Sequence, residues 1–324
     1  MKQLCSISFI LFFGFPVFSQ ETAEEIIYDK RDDHIESFPN RVTTRLFYIN
    51  TSNSFNFTDK NSRDAVRLIP NKQDRIGASV AFRNIAVSYS VAPDFLAVNK
   101  DNKHSKLFNL NLRAYFGKWM QTLDLYRQKG FFVEYETISP YYPEMKSFKI
   151  GGATSYILND KFSYRAIASQ DEKQLQSAGS FIPGIVYYYT KLNINMDSLN
   201  QEFHLFDIAF SPAYHYNWVP AKNLLLSAGI SAGIGLNHST SEDESFTSLL
   251  TELNLKGSFI YDLSNLYTGL HYSYLILNHN TDRSTYIKDN IPFFQIFIGY
   301  RFKAAEKLIR KADKINDKLK IKSE

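Results

Sequence analysis

The chain has 324 residues, a formal charge of +4 and a mean hydropathy of -0.28, with 21 Tyr, 27 Phe and a single cysteine, Cys5. Eight Lys/Arg against four Asp/Glu lie between Lys303 and Glu324, so the positive excess sits in the tail and leaves no basic stripe for a nucleic-acid backbone. No segment approaches the roughly 18 apolar residues of a spanning helix, which excludes a helical membrane protein.

The first residues read as a secretory signal over 1–19. Lys2 supplies the charge, an apolar run extends from Ile7 to Phe18, and Val17-Phe18-Ser19 favours cleavage after Ser19. Cys5 precedes the apolar core, so it is not a lipoprotein's modified residue, and the mature chain has no disulfide or thiol chemistry. Residues 20–40 are polar, carry Asp32, Asp33 and His34, and end at Pro39-Asn40. They read as a periplasmic lead-in.

From 41 to 302 the pattern has a period of two. Candidate strands fall near 41–51, 74–83, 84–93, 105–116, 118–134, 147–158, 161–169, 180–191, 203–217, 221–236, 246–262, 265–278 and 291–302. Turns and long polar loops alternate between them, as in an up-and-down transmembrane antiparallel β-barrel. A large soluble β-sandwich also alternates. The odd total means that one candidate is false or one strand is missed, because such barrels have even numbers. At about 20 to 25 residues per strand and connection, twelve strands fit best and fourteen next.

Two hairpins can be registered. With Arg83-Asn84 as the turn, Phe82 faces Ile85, Val80 faces Val87, Ala78 faces Tyr89 and Ile76 faces Val91, while Ala81, Ser79 and Gly77 meet Ala86, Ser88 and Ser90. Gly117-Lys118 sets the second, with Phe116 on Trp119, Leu112 on Leu123, Leu110 on Leu125, and Arg113 diagonal to Asp124. A one-residue slip would mix the faces of both. Leu224, Leu226, Ala228, Ile230, Ala232, Ile234 and Leu236 share one face of a strand long enough to cross about 25 Å of hydrocarbon at a tilt. In the last strand Phe294, Ile296, Ile298, Tyr300 and Phe302 face outward, with Gln295, Phe297, Gly299 and Arg301 on the other side.

The blocks Asn159-Asp160-Lys161-Phe162-Ser163-Tyr164-Arg165-Ala166 and Gln176-Ser177-Ala178-Gly179-Ser180-Phe181 resemble a family of outer-membrane barrels known as domain of unknown function 4421, of the Bacteroidota type. Gly117-Lys118-Trp119 and the closing Gly299-Tyr300-Arg301-Phe302 are similar to it too. The resemblance runs from about residue 40 to Phe302 and implies a fold and a Gram-negative outer membrane. The family has no assigned chemistry, so no catalytic role carries over.

The lumen face is expected to hold Arg113, Asp124, Glu252, Lys256, His271 and Arg301. They can select solutes by charge in a pore, or pair with one another and fill a narrow barrel, with pairing slightly ahead. Gly77, Ser79, Gly229, Ser231, Gly233 and Gly235 leave space against the inner wall, for a plug or for water. Residues 169–179 are the candidate plug, and an external loop is the favoured reading of them. His271 and Ser273 share a face and suggest a lipid deacylase, but no carboxylate partner is evident and the apolar alternation turns them away from acyl chains. No catalytic set is assigned. The seven histidines have no metal-ligand spacing, and no cofactor is expected. Tyr187-Tyr188-Tyr189, Tyr214, Tyr216, Trp218 and Tyr141-Tyr142 read as interfacial girdle residues.

Residues 303–324 form a basic amphipathic segment in which Leu308, Ala312, Ile315 and Leu319 recur at helical spacing. The default expectation is a helix that turns this stripe onto the barrel rim; docking a periplasmic partner or lying on a membrane are alternatives. Together these readings describe a barrel of the bacterial outer membrane, acting as a passive narrow pore or a structural envelope barrel. A lipid hydrolase using His271/Ser273 and a partner-binding scaffold are the alternatives. The expected partners are outer-membrane lipid and, during insertion, the barrel-assembly machinery.

Overall fold

The computed structural model describes residues 30–51, 54–59, 65–71, 73–97, 105–196, 199–241, 244–280 and 285–319; the expected signal peptide, 1–19, lies outside them. In chain order the elements are β1 (Lys30–Arg31), β2 (Ile35–Ser37), β3 (Arg41–Thr51), β4 (Phe55–Asp59), β5 (Ala65–Pro70), β6 (Asp74–Phe82), β7 (Ile85–Val91), β8 (Lys106–Phe116), β9 (Trp119–Tyr135) and β10 (Tyr141–Tyr156). There follow α1 (Arg165–Ala168), β11 (Glu172–Gln174), β12 (Ala178–Ile182), β13 (Gly184–Met196), β14 (Leu199–Phe210), β15 (Ala213–Ala221), β16 (Leu224–Thr240), β17 (Ser245–Leu263), β18 (Leu266–Asn280), β19 (Thr285–Lys303) and α2 (Glu306–Leu319).

Antiparallel pairing runs β3-β6-β7-β8-β9-β10-β13-β14-β16-β17-β18-β19, and β19 returns to β3 with Phe297 opposite Phe47. This closes an outer-membrane-type barrel of twelve strands. Closure satisfies the backbone groups that an open edge would leave unpaired. Near one end β12 and β15 continue the lines of β13 and β14; they pair with each other, and β15 pairs with β16. Pro183 and Pro212 mark these breaks, because proline brings no N–H to the ladder. The candidate strand at 161–169 is the false one. Its residues form a loop and α1, inside the barrel.

The hairpin registers follow from the alternation. Val80 lies opposite Val87, Ser79 opposite Ser88, Leu112 opposite Leu123 and Asn111 opposite Asp124. Alternation also sorts the faces. On β16, Ile230, Ile234 and Leu236 are exposed on the outside, whereas Leu225, Ser227 and Ser231 are buried. On β19, Ile296, Ile298 and Phe302 point out, and Gln295, Phe297 and Arg301 point in. An apolar belt on the outer wall and a mixed interior are what this pattern dictates.

The hairpin β4–β5 was not anticipated, and it reshapes one end of the barrel. β9 pairs with β8 as far as Lys129 and with β5 from Phe131. β19 pairs with β3 from Phe293 onward and with β4 at Thr285–Ile287. The two inserted strands therefore replace β3, β6, β7 and β8 above their ends, and the ring narrows from twelve strands to ten. Gly130 is the switch point on β9. Its φ of +88° is a left-handed conformation that glycine adopts without steric cost. Leu68, Phe131, Val133, Met145, Leu192 and Ile194 form an apolar cluster within this collar.

The opposite end carries the turns 83–84, 117–118, 222–223 and 264–265, and we call it the turn end. There α2 lies beside the β6–β7 turn, tied by Arg83 to Asp313 at 2.7 Å. The stripe does not turn onto the rim as expected: Leu308 and Ile315 are exposed. The Arg83–Asp313 pair and the covalent connection to β19 join this helix to the barrel.

Candidate functional site

The connection between β10 and β12 leaves the turn end and folds back into the lumen. Phe162, Ser163, Ala166, Gln170, Asp171 and Gln174 are all nearly inaccessible. An external loop at 169–179 is thus replaced by an internal plug. Residues 30–31 and 35–37 belong to it, because β1, β2 and β11 form a small sheet with Ser37 opposite Glu172.

Three side chains inside the plug, Ser163, Gln174 and Arg165, fix its shape. Ser163 Oγ accepts from Ala166 N at 2.9 Å and donates to Glu172 at 2.6 Å, capping the short helix. Gln174 accepts from Ser163 N at 2.8 Å and donates to Lys161 O at 2.7 Å. Arg165 is held by Asp171 and, at 3.2 Å, by Glu172. Burial opposes the Arg165 charge, but the two carboxylates outweigh it and hold the guanidinium above its ordinary range.

The barrel wall grips the plug from several sides. Arg301 on β19 donates to Gln170 O at 2.7 Å and forms a two-pronged pair with Asp262 on β17, at 2.7 and 3.1 Å. Lys173 reaches the same Asp262 at 3.7 Å. Arg45 on β3 donates to Ala168 O and to Gln170 Oε1 at 3.3 and 3.0 Å. Arg113 on β8 reaches Ala168 O at 3.4 Å, and Asn217 on β15 reaches Ser163 O at 2.9 Å. Ala166 packs among Phe47, Ile49, Leu225, Ile260, Tyr267 and Phe297. The segment is thus anchored to β3, β8, β15, β17 and β19 at the turn end.

Above the plug lies a cavity of about 270 Å³. Tyr164, Ile167 and Ala168 form its floor; Arg45, Arg75, Arg113 and Lys256 line its wall, with His215 and His271. Among the described residues no Asp or Glu lines it. The Tyr164 hydroxyl is pulled below the ordinary phenol range, chiefly by the Lys256 ammonium. A second cavity of about 260 Å³ continues toward the collar, sharing Arg75, Tyr126, Ser273 and Phe293 with the first. Its lining is mainly apolar, including Leu192, Phe203, Leu205, Leu250, Leu275 and Leu277.

The residues singled out from sequence are spread along this interior. Arg113, Lys256 and His271 line the lower cavity, and Glu252 lines the upper one. Asp124 accepts from Asn111 and from the Tyr188 hydroxyl, the latter at 2.8 Å, while Arg301 is locked in the plug contact. His271 does not engage Ser273. Its Nδ1 lies 2.8 Å from Ser258 Oγ, its ring stacks on Phe297, and the charges acting on it are Arg45 and Arg113. A nucleophile–base–carboxylate chain is not assembled there. Tyr214, Tyr216 and Trp218 stand exposed on the outer wall, whereas Tyr188 points inward. Among the described residues no group of three or more His, Cys, Asp or Glu could hold a metal ion.

Arg45 and Arg75 were missed. Arg75 lies two residues before Gly77, on the inner face of a hairpin whose register was already fixed, so alternation alone identifies it.

No curated protein matches the chain. Among solved structures it is similar to OmpT of Vibrio cholerae (12% identity, 84% of this chain and 99% of that one, TM-score 0.35). It is also similar to the translocator domain of the autotransporter NalP from Neisseria meningitidis (10%, 84% and 90%, TM-score 0.39). A third is an outer-membrane channel from Pseudomonas putida F1 (6%, 85% and 98%, TM-score 0.39). Residues 28–302 match the family profile named Domain of unknown function (DUF4421), and the chain belongs to that family.

Proposed function

We propose that this barrel resides in the bacterial outer membrane and acts as a narrow solute pore closed at rest by its own plug. The outer apolar belt and the closed ring support the membrane assignment. The plug contact carries the rest: residues 163–174 are anchored on β3, β8, β15, β17 and β19 beneath a polar cavity. A solute held above the plug passes only when that contact yields. Arg301 and Asp262, held to each other on the wall by a buried two-pronged pair, each take one plug contact: Arg301 donates to Gln170 O and Asp262 faces Lys173.

Swelling of proteoliposomes in a small sugar tests this. Wild type should admit the sugar slowly and an Arg301→Met variant faster. Equally fast swelling of both would reject closure at rest, and no swelling of either would reject the pore.

A further inference from the structure

The two joined cavities differ in chemistry along the barrel axis. The lower one is lined by four basic side chains from four strands, Arg45, Arg75, Arg113 and Lys256. Among the described residues none of the four has a carboxylate within 4.0 Å. The protein partners of Arg45 and Arg113 are neutral oxygens: Ser79 Oγ, Ala168 O and Gln170 Oε1. Arg75 is only 3% exposed, and its Nε has no hydrogen-bond partner. Asp124, diagonal to Arg113, and Glu252, on the same face of β17 as Lys256, are the nearest carboxylates, and neither touches any of the four; four cations against these two leave a positive excess that favours an anion. Arginine forks suit the planar or tetrahedral oxygens of carboxylates and phosphates.

The upper cavity is mainly apolar, with leucines and phenylalanines continuing toward the collar and Lys149, Asp207 and Glu252 set among them. Arg75 and Phe293 lie at the junction. A ligand that satisfies both chambers has a charged head and an apolar tail.

We propose that the lumen binds a single-chain anionic amphiphile, head down against Arg45, Arg75, Arg113 and Lys256 and tail up among Leu205, Leu250, Leu275 and Leu277. This rests on the reading of the lumen as a solute path closed by the plug, and it names the solute class. The head is a carboxylate or a phosphate; both offer the oxygens that the guanidinium groups require.

The test is equilibrium binding to the full-length protein in nanodiscs, with empty nanodiscs subtracted. The probes are laurate, dodecyl phosphate, dodecanol and acetate. Saturable binding of laurate or dodecyl phosphate is expected at least about tenfold tighter than that of dodecanol, which lacks the charge-assisted hydrogen bonds, or of acetate, which lacks the apolar tail. Whichever of the two binds more tightly identifies the head group. Arg75→Gln and Lys256→Gln, on different strands, should each weaken anion binding about tenfold and leave dodecanol unchanged. Heat-modifiable electrophoretic mobility checks that each variant is folded. Dodecanol binding as well as the anions, or anion binding unchanged in both folded variants, overturns the head site; acetate binding as well as laurate overturns the tail site. If sugar swelling behaves as proposed but no anion preference appears, this inference falls alone. If anion binding persists without swelling, the pore falls and the binding chamber stands.

Discussion

Arg301 and Asp262 lie one strand apart on the inner wall at the turn end, two hydrogen bonds joining the guanidinium on β19 to the carboxylate on β17 past β18. The same guanidinium donates to Gln170 O and lies over the rings of Phe38 and Tyr267, so one side chain joins the wall, the lead-in and the plug. Removing one partner of a buried pair strands the other charge at a cost of about 3–5 kcal/mol. Arg301→Met should therefore lower the thermal unfolding midpoint in detergent. Asp262→Asn should lower it at least as much, because it leaves two buried cations, Arg301 and Lys173, without their carboxylate. Equal midpoints for wild type and Arg301→Met would show that the pair is not structural.

Gly130 permits the change of partner on β9, from β8 to β5. A side chain there meets the Tyr141 hydroxyl and Ser105 Oγ in a left-handed backbone conformation. Gly130→Val should destabilise the protein by about 1–3 kcal/mol, the usual cost of such strain. Hydrogen exchange should localise the loss to β4, β5 and the adjoining part of β9. Uniform loss around the barrel would show that the collar is not a separable unit.

The contact of His271 with Ser258, and the absence, among the described residues, of a carboxylate from the lower cavity, predict that neither serine acts on lipid. Ser258→Ala and Ser273→Ala strains should retain the wild-type acyl composition of outer-membrane lipid by mass spectrometry. Extra acyl chains in either strain would restore the hydrolase reading.

Helix α2 is joined to the barrel by Arg83 and a half-exposed Asp313. Exposed ion pairs contribute little to stability. Deleting 306–324 should leave the unfolding midpoint unchanged; a clear drop would show that the helix packs more firmly than its exposed Leu308 and Ile315 indicate.

The barrel was legible because alternation is local. Ser79 opposite Ser88 and Leu112 opposite Leu123 require only a turn and two faces that must not mix. The plug was illegible because its burial is not local. Phe162-Ser163-Tyr164 reads as strand by pattern, and the polar run 169–174 reads as loop. Only long-range partners, Arg45, Arg113 and Arg301 on three strands, bury the run. The hairpin β4–β5 escaped for a similar reason, since its pairing partners are remote portions of β9 and β19. Half of the cationic chamber was visible as inward-facing Arg113 and Lys256; Arg45 stood on a strand without an assigned register.

The central claim is that residues 157–177 close the lumen. The direct measurement is planar-bilayer conductance of the refolded protein, wild type beside a variant in which 160–176 is replaced by a short Gly/Ser linker. Wild type should remain shut between brief openings, whereas the variant should show steady open steps. Steady steps of equal size in both proteins would contradict the account.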